Sequence, residues 1–413
     1  MARARSAGVT VGGRPVLLSA PGRPAIAVEV NAVDLETTIS AGVAQAEAVV
    51  ALVERDGGEI EWCEPVALDS LRSLERLSYE RGRHSVEIVR SHPSLLAELQ
   101  VGTWFHERAR ARLARRLVRR LPWLATFARV VVARPATAAV AVDAWFWSGV
   151  RQAATRSEWR RIARSGYSVL CYHRLAGRGD WDDVAPGSLA RQLRLLRRLG
   201  FVSLSADDVL AFARDPTAVL GRRRFLVTAD DGYDDALEVL RDQRGLRPLA
   251  FVVAGFASRT ARAPWAVEER GASFADWHSV RKAEAEGIDI GFHTLTHPHL
   301  VSCDDDELEQ ELVDAQRLFA QEHVVTRPII AYPHGEADRR VRARARRAGY
   351  ALGYTIEPGV NGAGTDPLRL RRVMVTSGDG PLAVAWMALT GESPPGALAW
   401  FRRRVGRLGR RTR

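Results

Sequence analysis

Lysine is almost missing from this 413-residue chain: Lys282 stands alone, and arginine supplies nearly all of the 60 basic side chains set against 49 acidic ones. A skew of that kind follows genome composition more readily than function. The excess charge of +11 and the pI near 10.4 still favour contact with something acidic. The arginines are scattered, and no helix-turn-helix, zinc-finger or RNP pattern accompanies them, so no nucleic-acid partner is expected. An anionic membrane surface or a phosphate-bearing substrate suits the charge better.

Cysteine is equally scarce. Cys63, Cys171 and Cys303 are far apart and form no CxxC pair, which excludes a disulfide framework or a cysteine-based structural zinc site and permits a reducing compartment. Long apolar runs are also lacking. The most apolar stretch, Ala136 to Trp147, is interrupted by Asp143 and falls short of the roughly 18 to 20 residues that span a bilayer. It reads as a buried helix, with peripheral membrane contact as the alternative. The N-terminal MARARSAGVTVGGRPVLLSAPG is basic without a continuous apolar core, so no signal peptide is expected and the location reads as cytoplasmic, peripheral to a membrane at most.

What is present changes texture near residue 160. Before it the chain is rich in helix formers and arginine. After it come short β-branched runs at 167–172, 224–229, 249–254, 288–293, 328–333, 351–356 and 368–375, separated by amphipathic stretches such as SLARQLRLLRRLG and DELEQELVDAQRLFAQ. Strand–helix alternation of this kind predicts a parallel sheet with helices outside it. About seven units in some 220 residues predict an α/β fold, a distorted (β/α) barrel with a mainly helical N-terminal extension. The expected divisions are a helical accessory region over 1–160, a barrel domain over 165–390 and a basic tail over 391–413.

Polar residues gather where these strands end. Asp230, Asp231 and Gly232 follow RFLVTA, His293 closes IDIGFH and is followed by His297, Tyr332 to Gly335 follow PIIA, and His173 follows YSVLCY. In parallel barrels chemistry collects at the C-terminal strand ends. Adjacent carboxylates at such an end allow one to bind a cation while the other accepts a proton, although DDG is also a common turn. Histidines four apart can share a metal on one helical turn. With Asp231 they make a His-His-Asp set with open positions. Tyr-Pro-His-Gly reads either as a turn or as a backbone donor to an oxyanion, and His173 either as a structural histidine or as a general acid.

The order YHR, TADDGY, HTLTHP, AYPHG over residues 165–380 resembles the polysaccharide deacetylase, or NodB-homology, family of carbohydrate esterases. Its motifs usually read TFDDGY and H[ST]xxHP. The early YHR resembles the subgroup of exported poly-N-acetylglucosamine deacetylases, whose acid histidine comes from the first strand. The resemblance implies Asp230 as general base, Asp231, His293 and His297 as ligands of a divalent metal, zinc foremost, and His173 as acid. It also implies a substrate or oxyanion contact around Tyr332 and His334, and Arg372 orienting Asp230. The implied activity is metal-dependent removal of N-acetyl groups from a saccharide, a cell-envelope polysaccharide or its precursor. The alternatives are a non-catalytic saccharide-binding protein of the same fold and a hydrolase of another C–N bond. This chain departs from the pattern with Ala229 in place of phenylalanine and His334 in place of tyrosine. Upstream, residues 57–96 and WFWSGVRQA (145–153) resemble the C-terminal portion of a family 2 glycosyltransferase, without the nucleotide-sugar core. The basic stretch from His106 to Pro135 reads either as a membrane-lying helix or as a solvated helical face packed on the barrel, and the tail FRRRVGRLGRRTR either as disordered or as adding to membrane attraction.

Overall fold

The computed structural model describes four short strands within residues 9–62, then residues 71–91, 93, 96, 99–105 and 135–395 apart from 216–217, 222, 244 and 264–272. The basic stretch 106–134 and the tail beyond 395, and with them both readings of each, lie outside the described residues. The chain divides into two compact units, Met1–Ala163 and Arg164–Arg413.

The N-terminal unit contains a small antiparallel sheet that the expectation of a mainly helical extension omitted. Its strands are β1 (Val9–Val11), β2 (Arg14–Ser19), β3 (Ile26–Ala27) and β4 (Glu59–Trp62), and β2 pairs with the other three. Its helices are α1 (Leu71–Ser91), α2 (Pro135–Ala153) and α3 (Arg156–Arg164). Helices α1 and α2 meet backbone to backbone at two glycines. A Cβ on Gly82 would stand 2.0 Å from the Phe146 carbonyl oxygen, and one on Gly149 would stand 1.9 Å from that of Tyr79. Around this contact Trp104, Trp147 and Trp159 pack edge to face, with centroids 4.9 and 5.0 Å apart from the first to each of the others. Asp143, the polar interruption of the apolar run, accepts the Trp147 indole N–H one turn along at 3.0 Å. No described helix is long and apolar enough to cross a membrane.

The C-terminal unit opens on β5 (Gly166–Tyr172), followed by α4 (Pro186–Arg198), β6 (Val202–Ser203), α5 (Ala206–Arg214), β7 (Arg224–Ala229) and α6 (Asp234–Arg241). Next come β8 (Leu249–Val252), the short α7 (Ala254–Ala257), α8 (Trp277–Ala285) and β9 (Asp289–Phe292). Helix α9 (Asp305–Glu309) runs through a π-helical turn, Gln310–Asp314, into α10 (Ala315–Gln321). Then follow β10 (Thr326–Ala331), α11 (Arg339–Arg347), β11 (Leu352–Tyr354), β12 (Asn361–Gly362), β13 (Val373–Met374) and α12 (Pro381–Thr390).

The main path of the sheet runs β11-β10-β9-β8-β7-β5-β12, with β13 on β5 and β6 on β7; every pair except β12–β5 is parallel. The last apolar run is split in its pairing. Leu370 bridges to Tyr354 beside β11, while Val373 and Met374 pair with Leu170 and Cys171 of β5. This segment links the two ends of the sheet and curls it into the distorted (β/α) barrel anticipated from the alternation. The short β6 and β12 were not anticipated.

Strand alternation sorts the side chains into two layers. Tyr167 and Val169, Leu226, Leu249 and Phe251, Ile329 and Ala331, and Leu352 and Tyr354 form one cluster, packed on Val209, Leu210 and Phe212 around α5. Leu170 and Tyr172, Val227 and Ala229, Ala250 and Val252, Ile290 and Phe292, and Ile330 and Tyr332 form the other, beneath the surrounding helices. By parity Cys171 and His173, Thr228 and Asp230, and His293 continue the first set. The residues with chemistry thus stand on the face of the sheet opposite the helix layer, at its C-terminal edge.

Candidate active site

The strand ends deliver their residues through strained backbone. Asp230 closes the β7 ladder, its N–H donating to the Tyr172 carbonyl at 3.0 Å. Asp231 and Gly232 then both take left-handed φ, 69° and 77°. Gly232 is required twice over, since a Cβ there would also meet Val252 Cγ1 at 3.1 Å. The histidine loop after β9 is equally unusual. His293 and His297 are not on a helical turn; Thr294 and His297 both adopt φ of 67° in an irregular loop. The Thr294 hydroxyl accepts the His297 N–H at 3.1 Å. Non-glycine residues held at positive φ cost free energy and persist where surroundings enforce them.

Glu311 provides that enforcement here, and sequence reasoning missed it. Its buried carboxylate accepts the Leu295 and Thr296 backbone N–H groups at 2.9 Å each and the Thr296 hydroxyl at 2.5 Å. It projects from the π-helical turn, a feature often found at functional sites. A signal existed: Glu311 falls on the same helical stripe as the buried Leu308, Leu312 and Ala315, where an apolar residue is the rule.

The result is a tight donor cluster. His293 Nε2 lies 3.3 Å and His297 Nε2 3.4 Å from the same oxygen, Asp231 Oδ1. Donors bonded at about 2.1 Å to a shared cation at near-tetrahedral angles stand about 3.4 Å apart, so the spacing fits a metal. His293 Nδ1 lies 2.8 Å from the Ala331 carbonyl oxygen, which fixes Nδ1 as the protonated nitrogen and turns Nε2 toward Asp231. Burial raises the Asp231 carboxyl, but the His293 hydrogen bond and the neighbouring histidines outweigh it and hold the group well below the usual carboxylate range. Burial lowers His293, yet Asp231 and Asp230 bring it back above an ordinary imidazole. His297 drops to about 3, through burial first and then the charge of His293, so it is neutral at physiological pH.

Asp230 stands apart from that cluster. Arg372 Nη1 donates to its Oδ1 at 2.6 Å, and Arg372 Nε donates to the Thr355 carbonyl at 2.9 Å. Burial pushes Asp230 up, and Arg372 followed by His293 and His173 pulls it down further, leaving the carboxyl below its ordinary value. The guanidinium is sandwiched near the Phe251 and Tyr354 rings. His173 presents a ring whose atoms reach within 4.8 Å of donor atoms of Asp230 and Cys171. The chain after it is pinned, because the Asp183 carboxylate accepts the N–H groups of Ala176, Gly177 and Arg178 at 2.6–2.8 Å.

The structure therefore brings Asp230, Asp231, His173, His293, His297 and Arg372 together. It does not bring the Tyr332 side chain to them. Tyr332 has the parity of the helix-facing layer, and its buried hydroxyl donates to the Leu368 carbonyl at 3.1 Å, while its N–H serves the sheet at Tyr354. The strand alternation turns that side chain away from the donor cluster. His334 stands exposed at the rim with φ of 59°, its ring 4.8 Å from that of His297 and stacked at 3.7 Å on His299.

Residues 219–353 match the family described as polysaccharide deacetylase. A Bacillus subtilis (strain 168) protein named as a polysaccharide deacetylase, YxkH, is 24% identical over 220 residues, covering 51% of this chain and 71% of that protein. The chitooligosaccharide deacetylase of Bradyrhizobium sp. (strain ANU 289) is 29% identical over 158 residues, 36% of this chain and 64% of its own. Among solved structures, the Streptococcus pyogenes deacetylase PplD in complex with acetate superposes with a TM-score of 0.46 at 20% identity, over 55% of this chain and 99% of that one. Residues 219–353, which carry the motifs at the ends of β7, β9 and β10, are thus similar to the polysaccharide deacetylase family.

Proposed function

We propose that this centre hydrolyses N-acetyl groups from a saccharide with a divalent cation held by Asp231, His293 and His297, zinc being the ion that two imidazoles and a carboxylate suit best. The observation that carries the reading is the division of labour between adjacent carboxylates. Asp231 shares one oxygen with two imidazoles, while Asp230 is turned to a buried arginine. When bound, the cation supplies Lewis acidity, lowering the pKa of water and polarising a carbonyl.

The remaining steps belong to the chain. Asp230, kept ionised by Arg372, accepts a proton from water as its oxygen bonds to the acetyl carbon. The backbone around His334 supplies an N–H donor to the developing oxyanion. His173, at the end of the neighbouring strand β5, gives a proton to the sugar nitrogen as the C–N bond breaks. Acetate and a free amino sugar result. A cell-envelope polysaccharide or its precursor is the substrate class we favour, because the net charge of +11 suits an anionic surface or a phosphate-bearing glycan carrier.

The test is acetate release from N-acetylglucosamine oligomers, with and without chelator. Chelation, or Asp231→Asn, is expected to cut the rate by about 10³-fold or more, the scale of several kcal/mol of transition-state stabilisation. Full activity after both treatments would remove the cation from the mechanism. Saccharide binding without any acetate release would favour a non-catalytic saccharide-binding protein.

A further inference from the structure

Beside the Asp231 cluster stands a second set of donors that the hydrolytic reading uses only in part. Cys171 in β5 and His173 just after it lie two apart and share a face, and the β5–β7 register pairs Cys171 with Thr228, two residues before Asp230. The Cys171 sulfur, a His173 nitrogen and an Asp230 oxygen all fall within 4.8 Å of one another. Cys171 is fully buried. His173 Nδ1 is also buried and has no hydrogen-bond partner among the described residues. A buried imidazole nitrogen without a partner is costly unless something fills the space beside it. Arg372 donates to Oδ1 of Asp230, and the Cys171 thiol already hydrogen-bonds that same carboxylate.

We propose that Cys171, His173 and Asp230 form a second cation site, which takes a soft divalent ion such as zinc in excess or cadmium and, when filled, switches off the neighbouring centre. Sulfur sets the selectivity. The Asp231, His293 and His297 set offers one oxygen and two nitrogens, whereas the second offers sulfur, nitrogen and oxygen and so discriminates against magnesium and calcium. Binding is balanced by one proton: the Cys171 thiol loses it to solvent and the sulfur bonds to the ion as thiolate. Arg372 lies next to the site and repels a second cation, so the Asp231 cluster fills first and the cysteine site fills only in excess. The switching-off, though not the binding, rests on the hydrolytic reading, because occupancy ties up Asp230 and His173.

Two measurements on the full-length chain, stripped of metal, separate these statements. Titration with cadmium is expected to bind two ions per chain, and the ultraviolet thiolate-to-cadmium charge-transfer band should rise with the second. Cys171→Ser is expected to abolish the band and weaken the second equivalent at least tenfold while keeping the first. Asp231→Asn should lose the first equivalent and keep the band. A single cadmium without a band in the native chain overturns the site, as does a band that survives Cys171→Ser. In the acetate assay, excess zinc should inhibit the native chain about tenfold and leave both Cys171→Ser and Cys171→Ala uninhibited. Equal inhibition of all three overturns the switch. A chain that releases no acetate at any zinc level rejects the hydrolytic reading, while the cadmium band still decides the site.

Discussion

The two units bury different things. Among the described residues of the N-terminal unit, the buried polar side chains are Ser78 and Ser85, and the core is tryptophan, phenylalanine and valine around a glycine-to-glycine helix crossing. The C-terminal unit buries Arg174, Arg372, Asp183, Asp230, Asp231, Glu311, Asp379 and His293. Burying an ion is expensive unless it is paired and hydrogen-bonded, and apolar residues of similar size often serve stability as well or better. A fold that keeps so many charges inside one unit and none in the described core of the other is spending stability on position in the first and gaining it from packing in the second. Three of the charges near the C-terminal strand ends hold something in place: Glu311 the histidine loop, Asp183 the loop after His173, Arg372 the Asp230 carboxylate.

The sharpest way to break this contrast is to unpair a buried charge at the site. Arg372→Leu removes the guanidinium that donates to Asp230 Oδ1, and removing one member of a buried pair costs about 3–5 kcal/mol. The expected outcome is a large drop in the urea midpoint of the C-terminal unit, together with loss of acetate release. Arg372→Lys, which keeps the charge but not the fork to Asp230 and Thr355, should recover most of the stability and little of the rate. Equal recovery of both would mean that Arg372 serves folding alone.

How much of this was readable from the chain follows the same division. Seven apolar runs marked the strands, and β7 matches its run end to end, because buried parallel strands are written as continuous β-branched segments between breakers. The donor residues were legible because they sit immediately after those runs. The pairing of the last run was not, since LRLRRVMV has the composition of one strand but divides its partners between β11 and β5. Only that division places Arg372 against Asp230. The facing of Tyr332 was not legible for a related reason: a motif gives nearness along the chain, whereas the face a side chain takes depends on counting parity from the strand. Glu311 was hidden because its partners are backbone N–H groups, which carry no residue identity. The helical histidine turn was displaced by two left-handed residues that no propensity favours.

In the N-terminal unit the packing reading is tested by adding one carbon. Gly82→Ala places a methyl where the Phe146 carbonyl oxygen already stands. Alanine favours a helix over glycine by about 1 kcal/mol, but a backbone atom cannot rotate aside, and overpacking of this kind typically costs about 1–3 kcal/mol. The net expectation is faster amide hydrogen exchange along α1 and α2, with cadmium binding to the Asp231 cluster unchanged. Unchanged exchange would show that the crossing is looser than the glycine contacts indicate.

The smallest effect concerns the charge that the N-terminal unit keeps at its surface. Glu158 accepts from Arg90 through both oxygens, at 2.7 Å from Nε and 3.0 Å from Nη2, and from the Thr155 N–H at 2.8 Å. The Arg90 hydrogen bond leads in drawing its pKa down to about 2, with burial opposing. A carboxylate depressed in the folded state adds stability above its unfolded value of about 4.5 and gives it up as pH falls from there through about 2. Arg90 is 42% exposed, and water and salt screen such a pair, so the contribution is at most about 1 kcal/mol. Exchange protection of α3 and the end of α1 should therefore decline between pH 5 and 2 in the native chain, and Glu158→Gln should flatten that decline while lowering protection slightly at neutral pH. If the native and Glu158→Gln profiles run parallel over the whole range, this ion pair adds nothing, and the N-terminal unit is held by its apolar crossing alone.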